Sequence, residues 1–409
     1  MIASRAPHLG DNGAMIYDHS IAVPYSYSEK IWGGLNAKIE RRGINRANTQ
    51  IITLPLHNDA TESFTESLRK KPIGPYAVGT HTASLWPDSD IDLKALDIDP
   101  RAESVYIVGS LLTSEDFNTA RSIALYCKQI MGIPVVTMVC PSIGKARQDK
   151  NVDKEKKFKP VTLNIATEMI ASAPFFDRMI VFEPHSSATQ AFAAQARMPL
   201  LPISLWKPLT DHMMKTGIPL TTDEKISVIP TPENATGIRP DVGRNLAFTR
   251  IEQQTGIRGV AFDKTRIDGK NTSMKKLSKA DQKFVKGRIG FGYDDEVSTM
   301  GTLEQILNHL QQYGLLAFAF MSAYGKLIPG TGPSDPGWEE RIQHPLLTKM
   351  YMSNAREPVG DPSRSNKIEV VDVAPFMREI IEADIKGVDF WRNPHYSPYV
   401  LQEKKTEIL

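Results

Sequence analysis

The fold is decided by residues 288–310, which read RIGFGYDDEVSTMGTLEQILNHL. The run 288–293 has the composition of a buried strand, and Thr302 with Gln305 matches the signature of a helix capping box. The apolar residues beyond recur at the spacing of one helix face: Leu303, Ile306, Leu307 and Leu310. The stretch therefore predicts a strand, a polar loop and an amphipathic helix, followed by a further strand at residues 315–321 (LLAFAFM).

The same order of elements occurs earlier in the chain. Residues 104–108 (SVYIV), 133–139 (IPVVTMV) and 179–182 (MIVF) are typical of buried strands. Between them, helical spacing is carried first by Phe117, Ala120, Ile123, Ala124 and Cys127, and then, after Pro160, by Ile165, Ala166, Met169, Ile170 and Ala173. The two blocks predict an α/β fold of two tandem domains with mainly parallel sheets flanked by helices.

Changes in composition predict the domain boundaries. Residues 1–48 are interpreted as an irregular extension, 49–202 as the first domain, 203–387 as the second, and 388–409 as a polar tail. Two segments that break the rhythm, 203–235 and 267–287, are interpreted as insertions or mobile loops. A third, from 329 to about 366, is rich in proline, and residues 374–385 are interpreted as a final amphipathic helix.

The composition is that of an ordinary soluble protein. The 409 residues carry a formal charge of +2 and are 41% hydrophobic, which gives no reason to expect nucleic acid or a membrane as a partner. No apolar run approaches the length of a membrane span, and the two cysteines have no metal-like spacing. We therefore expect a soluble, cytoplasmic protein without a disulfide framework.

The polar loop of residues 292–302 is the first candidate site. Backbone amides at the loop and at the start of the following helix can surround a phosphate, and the hydroxyls of Thr299 and Thr302 add donors. The carboxylates of Asp294 and Asp295 suit ribose hydroxyls and a metal ion instead. The alternative interpretation is an acidic turn before an ordinary helix start.

A second candidate site follows the strand 133–139. Residues 141–150 read PSIGKARQDK and offer a guanidinium, an amide and a carboxylate in succession, at Arg147, Gln148 and Asp149. This set can hold the phosphates of a nucleotide and read its base. The alternative is a charged surface loop.

Both segments resemble motifs of one enzyme family. The loop 292–302 is similar to the ribose 5-phosphate loop shared by type I phosphoribosyltransferases and ribose-phosphate pyrophosphokinases. The matching residues are Asp294, Asp295, Thr299, Gly301 and Thr302. Ser298 stands where the family usually has aspartate, and Met300 where it has a small residue. The run ARQDK resembles the ATP site of the pyrophosphokinases and is absent from the transferases.

Further matches occur in the family's order. Residues 183–186 (EPHS) resemble a motif whose histidine organises Mg²⁺–ATP, and 240–243 (PDVG) resemble a motif whose aspartate assists the metal. Residues 263–266 (DKTR) resemble the catalytic loop, and 86–90 (WPDSD) resemble more loosely the segment that receives adenine. The resemblance spans about residues 49 to 387.

The resemblance implies a role for each matching residue and a fold of two tandem type I phosphoribosyltransferase-like domains. Catalysis is assigned to Lys264 and Arg266. ATP binding is assigned to Arg147, Gln148, Asp149, Trp86, Asp88, Asp90 and His185. Ribose phosphate binding is assigned to Asp294, Asp295, Ser298, Thr299, Met300, Gly301 and Thr302. Mg²⁺ is assigned to His185, Asp241, Asp294 and Asp295.

The implied reaction transfers the β,γ-pyrophosphate of ATP to the anomeric hydroxyl of ribose 5-phosphate. ADP-ribose is the alternative acceptor, because Ser298 and Met300 change the phosphate loop. Two further alternatives are a non-catalytic regulatory homologue and a phosphoribosyltransferase that joins a base to the activated sugar. The family also implies a homo-oligomer, either a dimer or a hexamer.

Overall fold

The structure is a computed structural model. It describes residues 8–9, 15–16, 36–37, 39–40, 42–46, 48–54, 57, 59–73, 79–80, 84–85, 91–92, 98–146, 164–185, 187–223, 226–239, 245–262, 264–266, 272–274, 276–330 and 336–388. Among them, no helix has both the length and the apolar composition that crossing a bilayer requires.

The described residues form twenty strands and ten α-helices. The strands are β1 (His8–Leu9), β2 (Met15–Ile16), β3 (Thr49–Thr53), β4 (Gly79–Thr80), β5 (Ser84–Leu85), β6 (Ile91–Asp92), β7 (Ser104–Val108), β8 (Val135–Cys140), β9 (Arg178–Phe182), β10 (Leu200–Ile203), β11 (Ile218–Pro219), β12 (Ser227–Val228), β13 (Ala235–Arg239), β14 (Gly259–Ala261), β15 (Lys264–Arg266), β16 (Thr272–Met274), β17 (Ile289–Val297), β18 (Ala317–Gly325), β19 (Leu347–Ser353) and β20 (Ile368–Val371). The helices are α1 (Ala60–Lys70), α2 (Ser114–Leu125), α3 (Asn164–Ser172), α4 (Ser187–Gln195), α5 (Trp206–Thr216), α6 (Asn245–Thr255), α7 (Lys279–Val285), α8 (Gly301–Gln312), α9 (Trp338–Arg341) and α10 (Ala374–Ile385).

Contacts divide the chain into two compact units. The first includes Thr61–Ile203 and Met377–Arg392, and the second includes Ser204–Phe376. The sequence prediction had placed residues up to 387 with the second domain, whereas most of α10 belongs to the first unit.

The first unit is built on a six-stranded sheet with the order β10-β9-β8-β7-β3-β4, in which every neighbouring pair is parallel. The predicted face of α2 packs into its core, since Phe117, Ala120 and Ile123 are fully buried. Because the strands are parallel, the polar loops that follow them emerge at one edge of the sheet.

The second unit repeats this architecture. Its sheet has the order β14-β13-β17-β18-β19-β20, again with every pair parallel. Helix α8 buries the predicted stripe of Leu303, Ile306, Leu307 and Leu310. The prediction of two tandem α/β domains with parallel sheets flanked by helices is therefore confirmed.

A buried polar network ties α10 to the first sheet. The Arg178 guanidinium, 1% exposed, lies 2.6 Å from Asp384 on α10 and donates to the Tyr106 hydroxyl at 3.0 Å. Asn36, from the predicted extension, accepts from Arg46 at 2.5 Å and from Arg178 at 3.4 Å. Burial and the nearby Asp384 carboxylate raise the pKa of Tyr106 well above its ordinary value. This part of the extension is therefore integrated into the first unit.

Two segments predicted to be irregular contain regular elements. The 203–235 segment includes α5, whose Trp206, Leu209 and Met213 are buried. Its prolines were misleading because Pro208 lies in the first helical turn, where a missing N–H costs no hydrogen bond. The proline-rich segment 329–366 contains α9 and the fully buried strand β19, whose apolar pattern is interrupted by Lys349.

Four local predictions were also wrong. Helix α8 begins at Gly301, its N-cap is Met300 and no side chain caps it, so Thr302 is not the start of a capping box. Strand β17 runs on to Val297, because its ladder with β18 continues through the acidic residues. On α3, Ile170 is 56% exposed, although Ile165 and Met169 are buried as predicted. In the 267–287 segment, β16 and α7 replace the expected loop.

Candidate functional site

Backbone strain marks the carboxyl ends of the parallel strands. Lys145 follows β8, His185 follows β9, Met300 follows β17 and Leu327 follows β18, and all four have φ between 52° and 64°. Such left-handed conformations cost non-glycine residues free energy and cluster at functional sites. In open parallel sheets ligands bind at this same edge. Each unit is therefore expected to carry its site there.

In the first unit, the loop after β8 is held against the loop after β7. Leu111 and Ile143 form a parallel bridge, with the Gly144 amide donating to Leu111 O at 2.7 Å and the Leu111 amide to Ser142 O at 2.9 Å. A Cβ on Gly144 would lie 2.7 Å from the carbonyl carbon of Leu112, so only glycine fits there. This arrangement fixes the segment that enters the ARQDK run.

A buried carboxylate anchors the same loop. Glu168 on α3 accepts from Lys145 Nζ at 2.6 Å and from Arg121 at 3.2 Å, and its side chain is 7% exposed. Lys145 also donates to the Ser114 hydroxyl at the start of α2. The side chain of Lys145 is thereby directed onto the protein, while the chain beyond Ala146 continues into the predicted nucleotide motif.

The loops after β3 and β7 meet at an ionisable pair. His57 Nε2 lies 3.0 Å from Asp116 Oδ2, which also accepts from the amides of Leu112 and Thr113. Burial acts to raise the pKa of Asp116, but the hydrogen bonds from His57 and from these amides outweigh burial and lower it. The lowered pKa favours the ionised form of Asp116, and the hydrogen bonds that Asp116 accepts hold His57 against residues 112 and 113.

His185 lies in a tight, strained turn between β9 and α4. Its amide donates to Glu183 O at 2.8 Å, both residues have positive φ, and the His185 side chain is partly exposed. Left-handed backbone at non-glycine residues clusters at functional sites, and the role of His185 in binding ATP and Mg²⁺ stays a prediction. The other residues predicted to bind ATP lie outside the described residues: Arg147, Gln148, Asp149, Trp86, Asp88 and Asp90.

In the second unit, three predicted segments follow neighbouring strands. β14, β13 and β17 are adjacent and parallel, so their carboxyl ends share one edge. Asp241 follows β13 and lies outside the described residues. Lys264 and Arg266 lie on β15, which pairs with β16 in an antiparallel hairpin directly after β14, and their side chains are outside the described part.

The two predicted acids lie on β17 rather than in a loop. Asp294 is partly exposed and its Oδ1 accepts from the Asp295 amide at 2.9 Å, whereas Asp295 is only 3% exposed. Successive strand residues face opposite sides of a sheet, which accounts for the difference in exposure. Of the pair, Asp294 is the more accessible to a ligand.

Beyond the acids, the backbone carbonyls are hydrogen-bonded to the protein while the neighbouring amides, within the part of the chain that the structure describes, are not. The carbonyls of Val297 and Ser298 accept from the amides of Lys326 and Ile328 at 2.8 and 3.0 Å, and the carbonyl of Thr299 accepts from Arg341 at 2.9 Å. None of the amides of residues 298–301 has a hydrogen-bond acceptor among the described residues. Unpaired amides at the uncapped start of a twelve-residue helix are suited to an anion. We call residues 298–301 the amide nest.

Met300 does not narrow this nest. Its side chain is 4% exposed and packs in the hydrophobic core together with Val297 and Leu303. The side chain of Met300 therefore gives no support to the expectation that it changes the phosphate loop in favour of a larger acceptor, since the left-handed backbone turns it into the core.

Three residues around the nest were missed by the sequence analysis. Glu296 pairs with Lys326 at 2.7 Å and accepts from the Ser298 hydroxyl at 3.2 Å. Arg341, from α9, donates to Thr299 O and to Glu304 at 3.0 Å. Lys326 lies 30 positions after its partner Glu296, and Arg341 lies 42 positions after Thr299. No local pattern in the sequence links these residues.

Comparison with known proteins points to one family. No family model matches the chain. It is 24% identical to a ribose-phosphate pyrophosphokinase of Bifidobacterium longum over 251 residues, which are 61% of this chain and 65% of that protein, just under two thirds of its length. It is 22% identical to a ribose-phosphate pyrophosphokinase of Hyphomonas neptunium over 299 residues, 72% of this chain and 85% of that protein. In fold it is similar to phosphoribosylpyrophosphate synthetase from Mycobacterium smegmatis, with a TM-score of 0.61, 18% identity, and coverage of 83% of this chain and 99% of that one.

Proposed function

We propose that this chain, a divergent member of the ribose-phosphate pyrophosphokinase family, transfers the β,γ-pyrophosphate of ATP to the anomeric hydroxyl of ribose 5-phosphate. The products are phosphoribosyl pyrophosphate and AMP. The observation that carries the proposal is the amide nest, which begins three residues beyond Asp295 at the carboxyl edge of a parallel sheet. A carboxylate beside an anion site matches a sugar that bears both hydroxyls and a phosphate.

The first unit is proposed to bind ATP. The strained turn at His185 and the loop fixed by Gly144 follow the adjacent parallel strands β9 and β8, so both leave the same edge of the sheet. Arg147 would hold phosphate oxygens, and Gln148 with Asp149 would contact the nucleoside. Trp86, Asp88 and Asp90 are proposed, on the resemblance alone, to receive adenine.

The second unit is proposed to bind the sugar. The nest amides would accept the 5-phosphate, and Asp294 would orient ribose hydroxyls. The anomeric oxygen then forms a bond to the β-phosphorus, the bond from that phosphorus to the α-phosphate oxygen breaks, and the hydroxyl proton is released as AMP leaves. Lys264 and Arg266 would neutralise the charge that develops on the transferred group.

The donor groups fit Mg²⁺ held jointly with the nucleotide. No cluster of three or more His, Cys, Asp or Glu side chains occurs among the described residues. Mg²⁺ in nucleotide sites is normally bound by one or two carboxylates together with substrate phosphates, so a full protein cage is not required. His185, Asp241, Asp294 and Asp295 are the residues proposed to hold it, and Mg²⁺ would neutralise the phosphates.

Release of AMP from ATP by the purified chain tests the proposal. Ribose 5-phosphate and ADP-ribose are supplied in parallel with Mg²⁺, and the double variant K264A/R266A serves as the inactive control. We expect faster turnover with ribose 5-phosphate, because the buried Met300 removes one of the reasons to expect a larger acceptor. Faster turnover with ADP-ribose would reassign the acceptor, and no AMP with either sugar would favour a regulatory homologue.

Base-dependent release of pyrophosphate from phosphoribosyl pyrophosphate is measured on the same preparation. We expect none. A rate that depends on an added purine or pyrimidine would replace the kinase assignment with a phosphoribosyltransferase.

A further inference from the structure

Four consecutive backbone carbonyls around the amide nest, those of residues 297–300, accept hydrogen bonds from other groups of the protein. Those of Val297 and Ser298 accept from backbone amides of the loop after β18, that of Thr299 accepts from Arg341, and that of Met300 accepts from the Glu304 amide inside α8. In a peptide unit the amide points opposite to the carbonyl. Fixing these carbonyls therefore presents the amides of the following residues together on the other side of the loop.

Side chains from two other segments maintain this arrangement. The Lys326 ammonium lies 2.7 Å from Glu296, and the same residue's amide bonds Val297 O. Arg341 is 11% exposed and divides its guanidinium between Thr299 O and the Glu304 carboxylate. A Cβ placed on Gly301 would lie 3.5 Å from the guanidinium carbon, so Arg341 lies against the first residue of α8.

Stability alone does not explain these charges. The Glu296 side chain is 5% exposed and follows two other acids, Asp294 and Asp295, on β17. A buried ion pair is commonly no more stabilising than a hydrophobic pair of the same size. The Glu296 carboxylate of this pair also accepts a hydrogen bond from the Ser298 hydroxyl, and this bond orients the first residue of the nest. A costly pair that fixes a loop at a candidate site indicates a role in that site.

The strained backbone of Met300 explains why residues 297–300 need hydrogen bonds to hold their conformation. Its φ of 64° is unfavourable for a side chain with a Cβ, and relaxation to negative φ would rotate the peptide units on either side. The peptide bond between Thr299 and Met300 carries both the carbonyl held by Arg341 and one amide of the nest. Without the hydrogen bond from Arg341 to the Thr299 carbonyl, the relaxed backbone would turn the Met300 amide away from the anion.

We propose that Arg341 and the Lys326–Glu296 ion pair are positioning residues for the sugar phosphate, acting through the backbone of residues 297–300. The inference rests on the proposed function for the identity of the ligand. It assigns no contact with the reacting atoms to any of the three residues.

The test separates sugar binding from ATP binding. In Arg341→Gln, and in Glu296→Gln as the milder change, the KM for ribose 5-phosphate should rise about tenfold or more, since a charge-assisted hydrogen bond is lost. The KM for ATP should stay within about twofold. Arg341→Lys, which keeps the charge but lacks the planar fork of donors on separate nitrogens, should recover part of the loss.

Arg364→Gln is the matched control. This arginine also pairs with a glutamate of the second unit, Glu339 at 3.7 Å, but it is 66% exposed. The control should leave both KM values unchanged. If Arg341→Gln and Glu296→Gln leave the KM for ribose 5-phosphate at the wild-type value, or raise both KM values equally, the inference is overturned.

Calorimetric titration with inorganic phosphate keeps the inference independent of turnover. The wild-type chain should bind phosphate, and Arg341→Gln should bind it about tenfold more weakly. If the wild-type chain makes no product but this difference is observed, the proposed function fails and the positioning role stands. If the wild-type chain binds no phosphate, or if wild type and variant bind it equally, the positioning role fails.

Discussion

Gly144→Ala tests whether the contact between two loops of the first unit positions the nucleotide motif. The new Cβ would lie 2.7 Å from the carbonyl carbon of Leu112 and 2.8 Å from its Cα, where ordinary contact begins at 3.4 Å. The obstacle is backbone, which cannot rotate aside as a side chain can. One of the two loops must therefore shift by roughly 1 Å, since close-packed interiors leave no space.

The expected cost follows from the contacts that such a shift breaks. The bridge between Leu111 and Ile143 contributes two hydrogen bonds of about 1 kcal/mol each. Overpacking typically adds about 1–3 kcal/mol. The free energy of unfolding should therefore fall by about 3–5 kcal/mol. Because Arg147 and Gln148 follow within four positions, a displacement of this size should also raise the KM for ATP by about tenfold or more.

Urea unfolding and steady-state kinetics measure the two effects. Gly132→Ala is the control, because Gly132 has φ +69° and no atom within 4 Å of its added Cβ. That change should cost only about 1–2 kcal/mol of backbone strain and leave the KM for ATP unchanged. A Gly144→Ala chain with wild-type stability and wild-type KM for ATP would refute the reasoning.

Three further predictions concern catalysis, the buried network and pH. Lys264→Ala and Arg266→Ala should each lower kcat by orders of magnitude with little change in ATP affinity by calorimetry; near-normal turnover would show that the catalytic loop is misassigned. Arg178→Met should lower the free energy of unfolding in urea by about 3–5 kcal/mol, since the fully buried Asp384 loses its positive partner; a loss below about 1 kcal/mol would contradict this. The pKa of Asp116 is lowered in the folded chain, so its carboxylate contributes stability above its ordinary pKa of about 4, and this contribution is lost as the pH falls through the folded-state value. The Tm of Asp116→Asn should therefore fall less steeply than that of wild type below about pH 4, and parallel Tm curves would argue against the assignment.

The local sequence determined the strands and helices with strong apolar patterns. Residues 104–108 and 374–385 were predicted with the bounds that the structure has, because a continuous buried run and an amphipathic stripe are both local properties. The ARQDK run and residues 183–186 were also found locally, since each follows such a strand. The assignment of His185, Lys264 and Asp241 to individual roles depends on resemblance and stays a prediction.

Local patterns failed where tertiary contacts outweigh propensity. Strand β19 was missed because Lys349 interrupts its pattern, yet that ammonium is accommodated by Glu369 at 3.2 Å on the neighbouring strand. The capping box at Thr302 was wrong because Met300 adopts a left-handed backbone that its buried side chain and the surrounding loops sustain.

By itself, the sequence determined that this is a tandem parallel α/β protein with polar loops at its strand ends, because periodicity and strand-to-loop order are encoded within a few turns of chain. Only the tertiary structure decided how the phosphate loop is held. Lys326 and Arg341 reach that loop from elements far along the chain, and backbone carbonyls, which have no sequence signature, receive their hydrogen bonds. The side chain of Met300 turns into the core for the same reason: its direction depends on a φ angle that neighbouring segments impose.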